Sequence, residues 1–313
     1  LLLTPLYDQY WQLPMSEVLG SWAYAPLLLL LPLAALTRGR YAGLALLIPL
    51  CFFGGEYGRQ FLPNWPRLWS EESSPVSLRV MTWNTLFSID HRDHFIKLVE
   101  RLQPDIIALQ EISYQLGRRL PETLQKQYPY QHIYAAGSTL SLAMLSRYPI
   151  LVTDQDTRLA GCHCLEVQIK RDGRTITLIN VHVWRPSIYI DRDGRFPSVR
   201  RFDPSQQKPI FDALLTRIGA IQTPLLVMGD FNTGERQPNY RRLRQVLEDA
   251  FVTAGWGMGY TYPANLVDPR IKPPPFVRID HIFYNNHWQA QAAWSGRLPE
   301  SDHGFVVADL ALR

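Results

Sequence analysis

Apolar and polar positions divide the chain into two unlike parts. Val18 to Leu36 carries no charged residue and contains the unbroken block Leu27–Leu31. Its length is that of a membrane span, about 20 residues. Tyr41 to Gly55 is also uncharged but falls short of that length. Thr37-Arg38-Gly39-Arg40 separates the two runs. A helical hairpin with a basic turn is the simplest reading, although a buried hairpin in a soluble core would show the same pattern. Residues 56–77, with Pro63, Pro66, Pro75 and the Ser/Glu-rich stretch Ser70–Ser74, predict a linker.

From Leu78 the pattern becomes that of a mixed α/β body. Strands are predicted at Leu78–Trp83, Asp105–Leu109, Leu142–Leu145, Leu165–Ile169, Thr175–Val181, Leu225–Met228, His281–Tyr284 and Phe305–Leu310. Asp90 is placed to cap a helix whose apolar stripe is Phe95, Leu98, Val99 and Leu102. Ser205–Ile221 and Tyr240–Ala250 also read as helices, and Arg171-Asp172-Gly173-Arg174 as a hairpin turn.

Several strands run into polar side chains where a turn would be ordinary. Val80–Trp83 leads into Asn84, and Ile106–Leu109 into Gln110-Glu111. Thr177–Ile179 leads into Asn180-Val181-His182, and Leu225–Met228 into Gly229-Asp230-Phe231-Asn232. Apolar strands that deliver carboxylates, amides and an imidazole at one end point to a shared site on that rim.

Composition narrows the classes. The chain has 313 residues, 46% hydrophobic and 19% charged, enough for a large core plus an extra segment. The net charge of +4 permits an anionic substrate or membrane surface without demanding either. No interleaving of basic and aromatic residues makes a nucleic-acid groove persuasive. The three cysteines indicate no disulfide framework, and Cys162-His163-Cys164 is a poor zinc motif by itself. Arg38 and Arg40 favour a cytoplasmic turn, while Asp8 and Glu17 before the first run come without basic partners. That orientation places residues 78–313 outside the cytoplasm.

The rim residues suit phosphoester chemistry. Hydrolysis needs a cation on the phosphoryl oxygens, an activated water and donors for the developing charge. Hard oxygen ligands suit magnesium, and Glu111 and Asn84 offer them. Asp230 could take a proton from water, and Asn232 could donate to the phosphate. His182 and His303 could stabilise the pentacovalent state or assist the leaving group. Asp280 could hold a histidine in its required tautomer and charge state.

Together these segments resemble the endonuclease/exonuclease/phosphatase superfamily. The resemblance is carried by Val80–Asn84, Pro104–Glu111, Ala143–Ile150, Asn180–His182, Gly229–Asn232, Arg278–Ile282 and Ser301–His303, in the family's order. It implies a four-layered α/β sandwich with two packed mixed β-sheets. It also implies that Glu111 is the principal metal ligand with Asn84 close by, and that Asp302 is a further metal-side carboxylate. Asp230 resembles the residue that orients or deprotonates water, Asn232 its phosphate-binding neighbour, and His303 the phosphate-contacting histidine paired with Asp280. His182 matches the branch containing deoxyribonucleases and sphingomyelinases. The implied cofactor is Mg²⁺, with Mn²⁺ or Ca²⁺ as substitutes.

The expectation is thus a transmembrane helical hairpin in residues 1–55, a linker over 56–77 and a hydrolase domain over 78–313. This order resembles a membrane-anchored bacterial subgroup, with the catalytic domain on the outer side of the inner or plasma membrane. The substrate would be a lipid head group, nucleic acid or small phosphoester, and no protein partner is predicted. The alternative is a catalytically idle membrane scaffold that binds phosphorylated ligands. Trp184–Lys208, with Arg185, Arg192, Arg195, Arg200, Arg201 and Lys208, is either a lip over the site or a solvated loop.

Overall fold

The structure, a computed structural model, describes residues 10–18, 20–37, 39–62, 78–87, 93–134, 138–151, 163–191, 198–265 and 274–313. The cap read at Asp90 and the positions Arg38, Cys162, Arg192 and Arg195 lie outside them.

Two six-stranded sheets make up the body. In the first, β1 (Leu78–Asn84) pairs in parallel with β2 (Ile106–Gln110). The order continues through β4 (Leu142–Ser146) to β3 (Tyr130–Tyr134) on one side. On the other it runs through β14 (Gly304–Leu312) to β13 (Trp288–Arg297). In the second, β7 (Arg174–His182) and β10 (Leu225–Asp230) are parallel neighbours. They are flanked by β12 (Asp280–Tyr284) and β11 (Glu248–Asp249) on one side, and by β6 (His163–Arg171) and β5 (Ile150–Leu151) on the other. Both sheets are mixed, as the resemblance implied.

Strand alternation explains how this body makes a site. Successive side chains point to opposite faces. In β1, Leu78 and Val80 enter the core between the sheets, whereas Met81 and Trp83 face the helices outside. Ile106 and Ala108 of β2, Ile176 and Leu178 of β7, and Leu226 and Met228 of β10 also face inward. Continuing the inward rows by two residues reaches Gln110, Asn180 and Asp230, and the row of β1 reaches Asn84 two residues beyond Thr82. The site is the polar end of the inter-sheet core. Gln110 Nε2 donates to Asn180 Oδ1 at 2.6 Å, and Asn180 Nδ2 donates to the carbonyls of Leu109 and Ala143, both at 2.9 Å. These buried amides fasten one sheet to the other beneath the rim.

Helices cover the outer faces. Outside the first sheet lie α4 (Asp93–Leu102), through Phe95, Leu98 and Val99, and α5 (Tyr114–Leu124), through Leu116, Leu120 and Leu124. Ser113 caps α5 by accepting from the Leu116 amide at 3.1 Å. Outside the second sheet lie α6 (Gln207–Ala220) and the short α7 (Pro238–Leu243). The helix predicted over Tyr240–Ala250 is a correction. The chain leaves α7 at Leu243, forms β11, and begins α8 (Ala250–Ala254) at Asp249, whose side chain accepts from the Phe251 and Val252 amides. Buried Tyr240 holds that carboxylate at 2.9 Å. These polar demands override the helical pattern.

The N-terminal hairpin also differs from its expected form. The first run is broken into α1 (Gln12–Val18), a 3₁₀ turn (Gly20–Tyr24) and α2 (Leu27–Leu36). Pro26 disfavours helix at Ala25 and supplies no N–H, so the long span stops there. The second run is the longer helix, α3 (Arg40–Phe61), 22 residues. It continues through Glu56–Phe61, the start of the segment read as linker, because those side chains dock on the body. Gln60 Nε2 donates to Glu235 at 2.8 Å, Arg236 pairs with Glu56 at 3.0 Å, and Phe61 packs edge-on against Trp256. By length and composition, α3 can cross a membrane, and the bent segment Gln12–Leu36 is a second candidate. Leu28, Leu29, Leu36, Tyr41, Ile48 and Phe52 are all exposed.

Candidate active site

Parallel pairing brings the C-terminal ends of β1, β2, β7 and β10 to one rim. The antiparallel strands β12 and β14 begin at that rim, so Asp280 and His303 arrive from their N-terminal ends. Cα register places Asp230 directly between His182 and Asp280. Gly229 permits this close approach. Its φ is +146°, and a Cβ there would lie 2.0 Å from the Val181 carbonyl oxygen.

Asp230 is the hub. Its Oδ2 accepts from Asn84 Nδ2 at 3.0 Å and Asn232 Nδ2 at 3.2 Å, and its Oδ1 from the Asn232 amide at 2.8 Å. His182 Nε2 is 3.6 Å and His303 Nε2 3.8 Å from Oδ2. Burial raises the Asp230 carboxyl above its ordinary range, the His303 ring opposes that rise, and Asp280 adds to it.

Glu111 stands beside this hub. Its Oε1 is 3.1 Å from Asn84 Nδ2 and 3.6 Å from His182 Nε2. Asn84 thus bridges the two carboxylates through its nitrogen, while its oxygen accepts from the Leu86 amide at 3.1 Å. This differs from the expected arrangement, in which the Asn84 oxygen faces a metal. Glu111 and Asn232 both adopt left-handed backbone, with φ of 53° and 46°. Non-glycine residues held there cluster at functional sites.

His303 is buried and hydrogen-bonded through Nδ1 to Asp280, 3.1 Å away. Burial alone would lower its pKa, but Asp280 and then Asp230 reverse this, and it is pushed up to about 10. The Ser301 hydroxyl places the segment by donating to the Asn84 carbonyl at 2.7 Å and accepting from the His303 amide at 3.0 Å. Asp302 lies beside these groups. Burial raises its carboxyl, His303 opposes that, and Glu111 and Asp230 add to the rise. Its Oδ1 is buried without a hydrogen-bond partner.

All eight residues singled out in the sequence therefore gather at one rim: Asn84, Glu111, His182, Asp230, Asn232, Asp280, Asp302 and His303. His281, which follows Asp280 on β12, faces away from the rim. It is bonded to Asp249 at 3.2 Å and to the Thr233 carbonyl at 2.9 Å. Tyr262 was not legible in advance. Its ring centroid is 5.0 Å from that of His303, and its hydroxyl feels the charges of Asp302, Asp230, Arg185 and Glu111. Only an aromatic residue before Pro263 marks it in the sequence. The segment after His182 is the ribbon β8 (Ser187–Asp191) and β9 (Ser198–Asp203), in place of a loop. A cleft of about 470 Å³ lined by Arg59, Arg244, Thr253 and Arg313 contains none of the eight residues.

Two groupings could hold a cation. Asp230, Asp280 and His303 offer ligand atoms within 4.8 Å of one another. There, however, His303 Nδ1 is already engaged by Asp280, which leaves only Nε2 for a cation. Glu111 and Asp302 offer hard oxygens, one of them orphaned, within a cluster of like charge that a cation would relieve. This second grouping fits a divalent ion better.

Solved structures share the fold. An endonuclease/exonuclease/phosphatase from Bacteroides vulgatus is 18% identical, covering 75% of this chain and 99% of its own, with a TM-score of 0.56. A mannosyl-6-phosphatase from Bacteroides thetaiotaomicron is 16% identical, covering 75% and 100%, with a TM-score of 0.54. A truncated Caenorhabditis elegans TDP2 is 17% identical, covering 75% and 98%, with a TM-score of 0.53. No curated relative matches the chain by sequence. The family profile described as the endonuclease/exonuclease/phosphatase family matches residues 81–303, and the chain belongs to that family.

Proposed function

We propose that this chain is a Mg²⁺-dependent phosphoester hydrolase, tethered to a membrane by α2 and α3. The family's members are typically phosphoester hydrolases and generally use a divalent metal. The observation that carries the reading is the meeting of Glu111, Asp230 and His303 at one rim.

Glu111 and Asp302 would hold the cation, and the Asn84 amide steadies Glu111 against Asp230. A bound divalent ion supplies positive charge to the phosphoryl oxygens. Asp230, fixed by three N–H donors, is positioned to take the proton of an attacking water. The Asn232 side chain stands beside it, its Nδ2 donating to Asp230 at 3.2 Å and to the Val183 carbonyl at 2.9 Å. His303 remains an imidazolium at neutral pH and presents Nε2 to the developing negative charge. Asp280 keeps it charged and oriented. His182, between Glu111 and Asp230, faces the same space through Nε2.

The tether reading is supported by the exposed apolar faces of α2 and α3 and by the polar docking of the α3 base.

The test is a panel of phosphodiesters and phosphomonoesters assayed with Mg²⁺ and with chelator. Turnover that needs Mg²⁺ and is lost in both Glu111→Gln and Asp230→Asn supports the reading. Ligand binding without turnover anywhere in the panel supports an idle scaffold. Protease treatment of intact cells should cut residues 78–313; protection until lysis contradicts the outward orientation.

A further inference from the structure

The ribbon β8–β9 leaves the body directly after His182, and its base is tied to the site. Gln207 Nε2 donates at 2.9 Å to the carbonyls of both Trp184 and Asn232. Beyond that base, Ile188, Tyr189 and Ile190 are 51%, 52% and 48% exposed. Consecutive strand residues point to opposite faces, so both faces of β8 present apolar side chains to solvent. Among the described residues of 78–313, no other three consecutive large apolar side chains are exposed. Trp184, at the ribbon's base, is exposed as well.

The ribbon lies near the surface from which the tether emerges. Helix α1 packs on β9 and is pinned to the body by Glu17–Arg241 at 2.7 Å. The axis of α1 turns 78° from the segment Gly20–Leu36 that leads into α2. Helix α1 therefore runs across the direction of α2. The base of α3 is locked to the body by Tyr57, Gln60 and Glu56, so the ribbon is held at a fixed attitude to the tether. Among its described residues, the ribbon's arginines are paired locally. Arg200 pairs with Asp191, and Arg201 pairs with Asp203 at 2.7 Å and lies over the Tyr189 ring. Such pairing lets an amphipathic strand approach an interface with less desolvation cost. Arg185 differs. It is exposed, has no acidic partner among the described residues, and its charge is felt at the Tyr262 hydroxyl beside His303. An unpaired guanidinium between ribbon and site suits a phosphate held at a membrane surface.

We propose that the β8–β9 ribbon enters the head-group region of the bilayer that holds α2 and α3, and that the site takes a phosphoester carried by a lipid of that leaflet. The substrate part rests on the hydrolase reading above. The occupant is the same bilayer because α1, which leads into α2, packs on β9 of the ribbon. Hydrolysis there joins a water oxygen to phosphorus and breaks the bond to the ester oxygen. One water proton passes through Asp230 and the ester oxygen leaves as an alcohol.

The experiment uses the full chain in vesicles of phosphatidylglycerol and phosphatidylcholine. Ile190→Cys in a Cys51→Ser background carries a nitroxide, whose access to oxygen and to an aqueous nickel chelate reports depth. Separately, the triple variant Ile188→Ser, Tyr189→Ser, Ile190→Ser is assayed with Mg²⁺ on vesicle phospholipid and on soluble bis(p-nitrophenyl) phosphate. The expected results are a nitroxide that meets oxygen more readily than nickel, and a tenfold or greater loss on phospholipid with soluble turnover within twofold. A nitroxide as open to nickel as one placed at Glu122 overturns the membrane contact. One shielded from both reagents marks a protein partner and overturns it too. Equal loss on both substrates, or soluble turnover without lipid turnover in the parent chain, overturns the lipid substrate. Turnover of neither ester contradicts the hydrolase reading itself and removes the substrate part, while the depth measurement still decides the membrane contact.

Discussion

Asp280 Oδ2 lies 3.1 Å from His303 Nδ1, inside the protein and at the start of β12. The pair sets the charge of the one ring whose other nitrogen faces Asp230. Replacing Asp280 by Asn removes the largest of the three charges that raise the His303 pKa. The imidazolium should then be lost at a lower pH. Turnover should fall by on the order of 10²-fold, within the usual range for acid–base groups. Its alkaline limb should move to lower pH, as a pH–rate profile and NMR titration of the ring would show. An unmoved alkaline limb would mean that His303 does not act as a cation.

The same pair makes stability pH-dependent. A histidine whose folded pKa is raised contributes stability fully below its unfolded value, about 6.5, and loses it as pH rises through the folded value. For His303 that window runs upward to about 10. Asp249 has the opposite sign. Burial alone would raise its carboxyl, but Arg278 and His281 hold it far below the carboxylate range. Its contribution is present above about 3.9 and is lost as pH falls. Denaturation midpoints of the metal-free protein should therefore decline on both sides of neutrality. Substituting His303 by Gln should flatten only the alkaline side.

Arg278 is buried and bonds Asp249 at 2.9 Å and Glu235 through a short contact. Replacing it with Met leaves Asp249 buried without its cation. Breaking a buried pair in this way costs about 3–5 kcal/mol. Chemical denaturation of Arg278→Met should show a loss of that size, and the Asp249→Asn, Arg278→Met double variant should recover part of it. A loss under about 1 kcal/mol would place the pair among surface-like contacts.

Gly229 gives a backbone test of the site. A Cβ at this position meets the Val181 carbonyl, and the backbone angle is one that other residues rarely adopt. Gly229→Ala should destabilise the protein by more than about 1 kcal/mol and cut turnover in the molecules that remain folded, since β7 and β10 must part where they deliver His182 and Asp230. Thermal melts and activity per folded molecule check this.

Much of the architecture was legible because alternation along buried strands is a strong signal. Once the apolar rows of β1, β2, β7 and β10 were recognised, their polar endings marked the rim. Legibility failed where tertiary contacts outweigh local pattern. Residues 240–250 carry a helical pattern, yet the Asp249 carboxylate is claimed by Arg278 and Tyr240, and the chain turns to supply it. Beta strand β13 reads weakly because Gln289, Gln291, Ser295 and Gly296 interrupt its apolar residues, and pairing with β14 decides its state. Tyr262 comes from a loop with no periodicity, so only folding reveals that it borders His303. The orientation of the Asn84 amide likewise depends on Leu86, a neighbour that strand pattern does not specify.

The central claim is that Glu111 and Asp302 share one divalent ion beside Asp230 and His303. The most direct measurement is anomalous diffraction from crystals of the full chain soaked in Mn²⁺. One peak bounded by Glu111 and Asp302, absent from Glu111→Gln crystals, is the expected result. A peak enclosed by Asp230, Asp280 and His303, or no peak at this rim at saturating Mn²⁺, would contradict it.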